Sequence, residues 1–164
     1  LDILEQKEKD TEEKLEDLDL MEIFNQVSKS IDSLIKGSQT TFKLNFSAFD
    51  KIYFCRIYME SIFLNLITNS IKYAKLNVLP VISIETQWNN GKRELVFSDN
   101  GKGFDKGMTK GKMFGLRQTF TDIKDSKGIG LYLVHNNIQS MGGHIDVESE
   151  IDKGTTFTIT FKDY

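Results

Sequence analysis

The sequence has one cysteine, one proline and two histidines in 164 residues, and no apolar run near the roughly 18 residues that a membrane-crossing helix requires. A single cysteine, Cys55, cannot close an internal disulfide or build a multi-cysteine zinc site, so a reducing compartment is the expected setting. No signal or transit pattern is expected at the opening residues. What is present is ordinary for a globular chain: 39% hydrophobic and 27% charged residues, with twelve Phe. Collagen-like, membrane-spanning and fully disordered readings drop out. At 18.8 kDa the length suits one domain burying about two thirds of its unfolded surface, with no room for a second.

The net charge of -3 hides an uneven distribution. Residues 1–19 carry three Lys against nine Asp or Glu, so residues 20–164 sum to +3. Within that body, residues 102–127 hold seven Lys or Arg against three Asp. Taken alone, this basic, glycine-rich stretch reads as a solvated loop.

Periodicity supplies the elements. The acidic leader, with Leu15 and Leu18 after a long polar gap, reads as a helix whose partner lies elsewhere. Asp19 is a candidate N-cap for an amphipathic helix through Ile23, Phe24, Val27, Ile31, Leu34 and Ile35, with Gly37 as its stop. Residues 41–46 alternate as a strand. A longer helix is predicted over 56–75, and a hairpin follows, with Ile82, Ile84 and Trp88 on one face, a turn at Asn89-Asn90-Gly91 and a return strand over 94–98. A helix over 128–141 and a hairpin turning at Asp152-Lys153-Gly154 complete the chain. The mixture lacks regular βαβ alternation, and each strand is apolar on one side only. The fold class expected is therefore a two-layer α/β (α+β) sandwich: a mixed sheet with helices on one face.

Three features carry chemistry. On the long helix, Asn65, Asn69, Lys72 and Tyr73 fall within an arc of about 100°, opposite Phe63, Leu66, Ile67 and Ile71. An exposed polar face explains this equally well, but an Asn carbonyl is also a neutral oxygen ligand for Mg²⁺, and a Lys one turn on suits phosphate. Second, Asp99-Asn100-Gly101-Lys102-Gly103 follows a strand end, where a carboxylate can accept from the exocyclic amine of adenine and would repel the oxygen of guanine; a plain turn is the competing reading. Third, Gly128-Ile129-Gly130-Leu131 opens a helix, whose N-terminal N–H groups favour anions. Each motif alone says little. Their order and spacing say more: Asn69 to Asp99 is 30 residues, Asp99 to Gly128 is 29, and the basic stretch fills the second interval.

The constellation resembles the catalytic and ATP-binding domain of bacterial sensor histidine kinases, in the superfamily that includes gyrase and the heat-shock chaperone ATPases, over residues 20–164. Residues 65–73 match its N box, Asp99 to Gly103 its G1 box and Gly128 to Leu131 its G2 box; 141–149 and 154–157 match its closing hairpin. The resemblance implies a Bergerat-type fold with a largely antiparallel sheet, and Mg²⁺ and ATP as cofactors. It implies Asn69 as the metal ligand, Asn65, Asn69 and Lys72 as the catalytic set beside the phosphates, Tyr73 against adenine and Asp99 on its amine. Gly101, Gly103, Lys127, Gly128, Gly130 and Leu131 would complete the nucleotide site, with residues 102–127 as an ATP lid.

The superfamily's ATPases carry a Glu one turn before the metal-binding Asn as general base for water. Here that place is Asn65, which cannot take a proton, so ATP should be held for transfer to a protein histidine. Tyr132 replaces the last glycine of the G2 box, and Arg117 replaces one of an aromatic pair expected after Phe114. Neither His135 nor His144 sits in an acceptor context. The acceptor helix is expected upstream of Leu1, with residues 1–19 as the end of a dimerisation helix plus linker. The implied partners are the protein's own phosphoacceptor domain and a response regulator, in a homodimer, with this part cytoplasmic and the whole protein open to inner-membrane anchoring; no nucleic acid is expected. A non-catalytic ATP switch and a gyrase-type ATPase are the alternatives.

Overall fold

A computed structural model describes residues 14–105 and 129–163 of the chain. Their elements, in order, are β1 (Leu15–Asp19), α1 (Leu20–Ser30), α2 (Asp32–Ser38), β2 (Thr41–Asn45), β3 (Lys51–Cys55), α3 (Arg56–Lys72), β4 (Val81–Asn89), β5 (Lys92–Asp99), α4 (Ile129–Ser140), β6 (His144–Glu150) and β7 (Gly154–Thr160). A five-stranded sheet has the order β2-β4-β5-β7-β6. Only β2 and β4 run parallel; β4–β5, β5–β7 and β6–β7 are antiparallel. This is the expected mixed, largely antiparallel sheet with a helical layer.

The period-two strands deliver their apolar sets to one side. Ile82, Ile84, Leu95, Phe97, Ile145, Phe157, Ile159 and Phe161 are all buried, and they meet Ile23, Phe24 and Val27 of α1, Met59, Ile62, Phe63, Leu66 and Ile67 of α3, and Val134 and Ile138 of α4 in one continuous core. Each such burial contributes roughly 1.5–3 kcal/mol, so this layer contact sets the fold. At its centre Phe63 stands edge-on to Phe97, with ring centroids 5.0 Å apart. In the β4–β5 hairpin, Asn90 (φ 51°) and Gly91 (φ 76°) take the two left-handed positions of a tight turn, as the Asn-Gly pair predicts. Trp88 shares the parity of Ile82 and Ile84 but lies at the hairpin tip, 57% exposed, where it packs against Phe49.

Three expectations fail. Residues 15–19 are not helical: β1 pairs antiparallel with β3, from Leu15 opposite Cys55 to Asp19 opposite Lys51. Backbone pairing with a segment far along the chain overrides the helix propensity of Glu and Lys, and Arg56 adds ion pairs to Glu16 and, at 3.5 Å, to Glu22. β3 is a strand that a plain connection through Asp50 leaves out. The helix starting at Asp19, whose carboxylate does accept from Glu22 N at 3.1 Å, breaks at Ile31 (φ -119°, ψ 26°). There the Ser30 hydroxyl donates to Val27 O at 2.6 Å and competes with the helical N–H, and Ile31 N reaches that carbonyl only at 3.3 Å. Gly37 consequently lies inside α2, and Gln39, in left-handed conformation, ends it.

Candidate functional site

Asp99 is the last residue of β5, the central strand of the sheet, and it lines a partly open pocket between the sheet and the helices. The pocket is lined from α3 by Asn69 and Ser70, from the residue after it by Tyr73, from the turn after β5 by Lys102, Gly103 and Phe104, from α4 by Leu131, and from β7 by Thr155 and Phe157. Elements far apart in sequence meet here because β5 and β7 are neighbours and α3 and α4 cross them on the same side.

The Asp99 carboxylate is held by three donors. Its Oδ1 accepts from Gly101 N at 2.9 Å and from Thr155 N at 3.3 Å, and its Oδ2 accepts from the Ser70 hydroxyl at 2.9 Å. Burial pushes its pKa above the usual carboxylate range, while these bonds to Gly101, Ser70 and Thr155 pull the other way by favouring the ionised form. The turn that follows is tied to the helix: Tyr73 N bonds Asn69 O at 3.0 Å, and Lys102 N donates to Tyr73 O at 2.9 Å. The resemblance assigns Gly101 and Gly103 to the nucleotide site. The structure gives another reason for them, since a Cβ at Gly101 would lie 2.8 Å from Tyr73 O, and one at Gly103 (φ +62°) would lie 2.0 Å from Glu150 O. The glycines let protein backbones approach each other. Asn100, within the same motif, stitches the loop before β4, accepting from Val81 N at 2.9 Å and donating to Leu79 O at 3.1 Å.

Of the residues singled out in the sequence, Asn69, Tyr73, Asp99, Gly103 and Leu131 line this one pocket. Lys72, one turn on from Asn69, is exposed, with its ammonium 5.6 Å from the centroid of the Tyr73 ring. Asn65 stands apart from the pocket lining. Its Nδ2 donates to Ser61 O at 2.8 Å, and its Oδ1 faces Gly130, where a Cβ would come within 2.8 Å of it. Asn65 and Gly130 thus form the contact by which α3 supports the first turn of α4. Lys127, Gly128 and all but the first four residues of the 102–127 segment lie outside the described residues. Ser70, Phe104, Thr155 and Phe157 also line the pocket, although the sequence reading gave none of them a role of its own.

A metal would have little from the protein. Among the described residues no group of three or more His, Cys, Asp or Glu could hold one; with the Asp99 carboxylate already engaged by three donors, the Asn69 carboxamide is the candidate ligand among the motif residues at this pocket. That suits Mg²⁺, which takes few protein oxygens and completes its shell with phosphates and water.

Residues 56–164 match the family described as histidine kinase-, DNA gyrase B-, and HSP90-like ATPase. Among curated proteins, the signal transduction histidine-protein kinase ArlS of Staphylococcus aureus is 32% identical over 105 residues, which is 62% of this chain and 23% of ArlS. The chain therefore spans about a quarter of the length of the curated relatives it matches. Among solved structures, the histidine kinase AdeS of Acinetobacter baumannii has a TM-score of 0.69 at 22% identity, covering 90% of this chain and 66% of that one. Full-length ShkA in complex with AMPPNP has a TM-score of 0.74 at 19% identity, covering 90% of this chain and 30% of ShkA. These two likenesses establish the shared fold.

Proposed function

Since the chain belongs to the family of histidine kinase-, DNA gyrase B-, and HSP90-like ATPases, we propose that it is the nucleotide-binding part of a histidine autokinase, which holds Mg·ATP and presents its γ-phosphate to a histidine on another domain. The observation that carries the reading is the Asp99 carboxylate, oriented by three hydrogen bonds in a pocket between helix and sheet. In this reading the adenine amine donates to Asp99, the ring lies among Tyr73, Leu131 and Phe157, and the triphosphate leads past Asn69 toward Lys72 and the start of α4. Gly101 and Gly103 shape the wall, while Lys127, Gly128 and Gly130 would serve the phosphates. Mg²⁺, held by Asn69, would neutralise charge on the phosphate oxygens.

Transfer is favoured over hydrolysis by Asn65. It has no proton-accepting carboxylate, and its amide is already committed to Ser61 O and to the contact with Gly130. At that position, water near the γ-phosphate therefore finds no base. An acceptor imidazole needs none: its neutral nitrogen attacks phosphorus, the bond to the β-phosphate oxygen breaks, and ADP leaves with that electron pair. The chain's part is to position and to neutralise.

In this reading the acceptor histidine lies on a separate phosphoacceptor domain, and a response regulator is a separate partner protein. Among the described residues no helix is long and apolar enough to cross a membrane. The test is to add this chain to a separately purified phosphoacceptor domain of the same protein and to follow radiolabelled γ-phosphate. Label should appear on the acceptor domain and be acid-labile, as phosphohistidine is. Measured ATP binding with no transfer would sink the kinase reading.

A further inference from the structure

A serine buried on the apolar stripe of a helix needs a partner, and Ser70 has two within reach. Its hydroxyl oxygen is 3.0 Å from Leu66 O and 2.9 Å from Asp99 Oδ2. One hydroxyl proton cannot serve both at full strength. A carboxylate accepts more strongly than a neutral carbonyl, so the proton goes to Asp99 while that group is ionised.

The two oxygens of Asp99 are unequal. Oδ1 receives both backbone N–H groups, from Gly101 and Thr155, and its lone pairs are taken. Oδ2 receives only the Ser70 hydroxyl among the described donors. Any proton that Asp99 acquires must therefore sit on Oδ2, and any ligand group that Asp99 recognises must meet Oδ2. An Oδ2 that is an acceptor suits a 6-amino purine. An Oδ2–H would be a donor and would suit a 6-oxo purine instead.

We infer that Ser70 is a positioning residue for base selection: by donating to Oδ2 it keeps that atom an acceptor with one lone pair directed into the pocket, and so sets the preference for 6-amino over 6-oxo purine nucleoside triphosphates. The inference rests on the nucleotide reading above. Ser70 need not touch the nucleotide; it acts through Asp99. Its two acceptors also let it follow a change in Asp99, because its own proton can turn to Leu66 O when the carboxyl carries one.

The test compares ATP with inosine triphosphate, which differs at position 6, on the full chain by calorimetry. Wild type should bind ATP more tightly. Ser70→Ala, a change that a helix accepts readily, should lose about tenfold in ATP affinity with little change for inosine triphosphate, so that the ratio of the two falls about tenfold. Ser70→Thr, which keeps the hydroxyl, should restore much of the ratio. If Ser70→Ala weakens both nucleotides equally, or neither, Ser70 is a packing residue and the inference fails while the ATP reading stands. If wild type binds neither nucleotide, the reading beneath it fails as well.

Discussion

Gly154 is the sharpest test of how the pocket is assembled. It opens β7 with φ +119°, and a Cβ there would lie 1.9 Å from Asp99 O and 3.2 Å from the Cα of Asn100. Both obstacles are backbone, so no side chain can swing away. In Gly154→Ala the backbone conformation alone should cost about 1–3 kcal/mol. Forcing β7 away from the turn after β5 should add about 1–3 kcal/mol more, as overpacking does. A total near 4 kcal/mol is a large part of the 5–15 kcal/mol typical of a domain and should lower Tm by roughly 8–16 °C. The same displacement withdraws Thr155 N from Asp99 Oδ1, now at 3.3 Å, and a hydrogen bond to a charged group is worth about 1.5–3 kcal/mol, so ATP affinity should fall tenfold or more. Gly91→Ala is the control. Gly91 also has positive φ, +76°, but nothing lies within 4 Å of its would-be Cβ. It should cost only about 1–2 kcal/mol and leave ATP affinity unchanged. Thermal melts and nucleotide titrations on both variants decide it: if Gly154→Ala melts within about 2 °C of wild type, or behaves like Gly91→Ala, the close approach does not constrain the site.

Gly37→Ala should stabilise, since Gly37 lies inside α2 with open space where its Cβ would go; a gain of about 0.5–1 kcal/mol in urea unfolding is expected, and a loss would contradict the helical assignment. Asp99→Asn tests the pocket's protonation logic. Burial raises the native pKa of Asp99, so its contribution to stability is full below the unfolded value and is lost as pH rises through the folded one. The Asn amide can keep the pattern by donating to Ser70, whose proton turns to Leu66 O. The variant's stability relative to wild type should therefore grow from acid to neutral pH in urea titrations, while ATP binding is lost because an NH₂ faces the adenine amine; a difference that is flat with pH would refute this. Asn65→Glu should not create an ATPase, because glutamate cannot replace the donation to Ser61 O and would press on Gly130; steady turnover of about 1 s⁻¹ would overturn that view.

Much of this architecture was legible in the chain because its signals are local. Alternation marked β4, β5, β6 and β7, Asn90-Gly91 marked the hairpin, and the helix expected over 128–141 ends within one residue of where α4 does, just before Gly142 at φ +73°. β1 was not legible for two reasons. Leu15 and Leu18 are three residues apart, which imitates a helical step, and the partner that makes the segment a strand begins at Lys51. The break at Ile31 turns on a single serine hydroxyl, which leaves the apolar period through Leu34 and Ile35 intact. Within the site, the motif residues were readable and their supports were not. Ser70 lies seven positions after Phe63, so it falls on the buried stripe of α3. A hydroxyl there implied a polar partner reaching in from the sheet. Thr155 shares the inward parity of Phe157 and Ile159, and as a polar member of an apolar set it carried the same hint.

The division between the two halves of the site follows from where the chain places them. The residues lining the pocket come from the helix–sheet body: Ser70 and Tyr73 from α3 and its end, Asp99 and the turn after it from the central strand, Leu131 from α4, and Thr155 and Phe157 from β7, so in the proposed reading the base is met by that body. These positions are fixed by the same core that holds the layers together, and three hydrogen bonds orient the carboxylate before any ligand arrives. Of the basic stretch over residues 102–127, the described residues Lys102, Gly103 and Phe104 line this pocket. Base selectivity and phosphate affinity should accordingly be separable. Substitutions at Ser70, Asp99 or Thr155 alter which purine is chosen, and loss of lysines from the basic stretch weakens all triphosphates alike and makes binding less sensitive to salt.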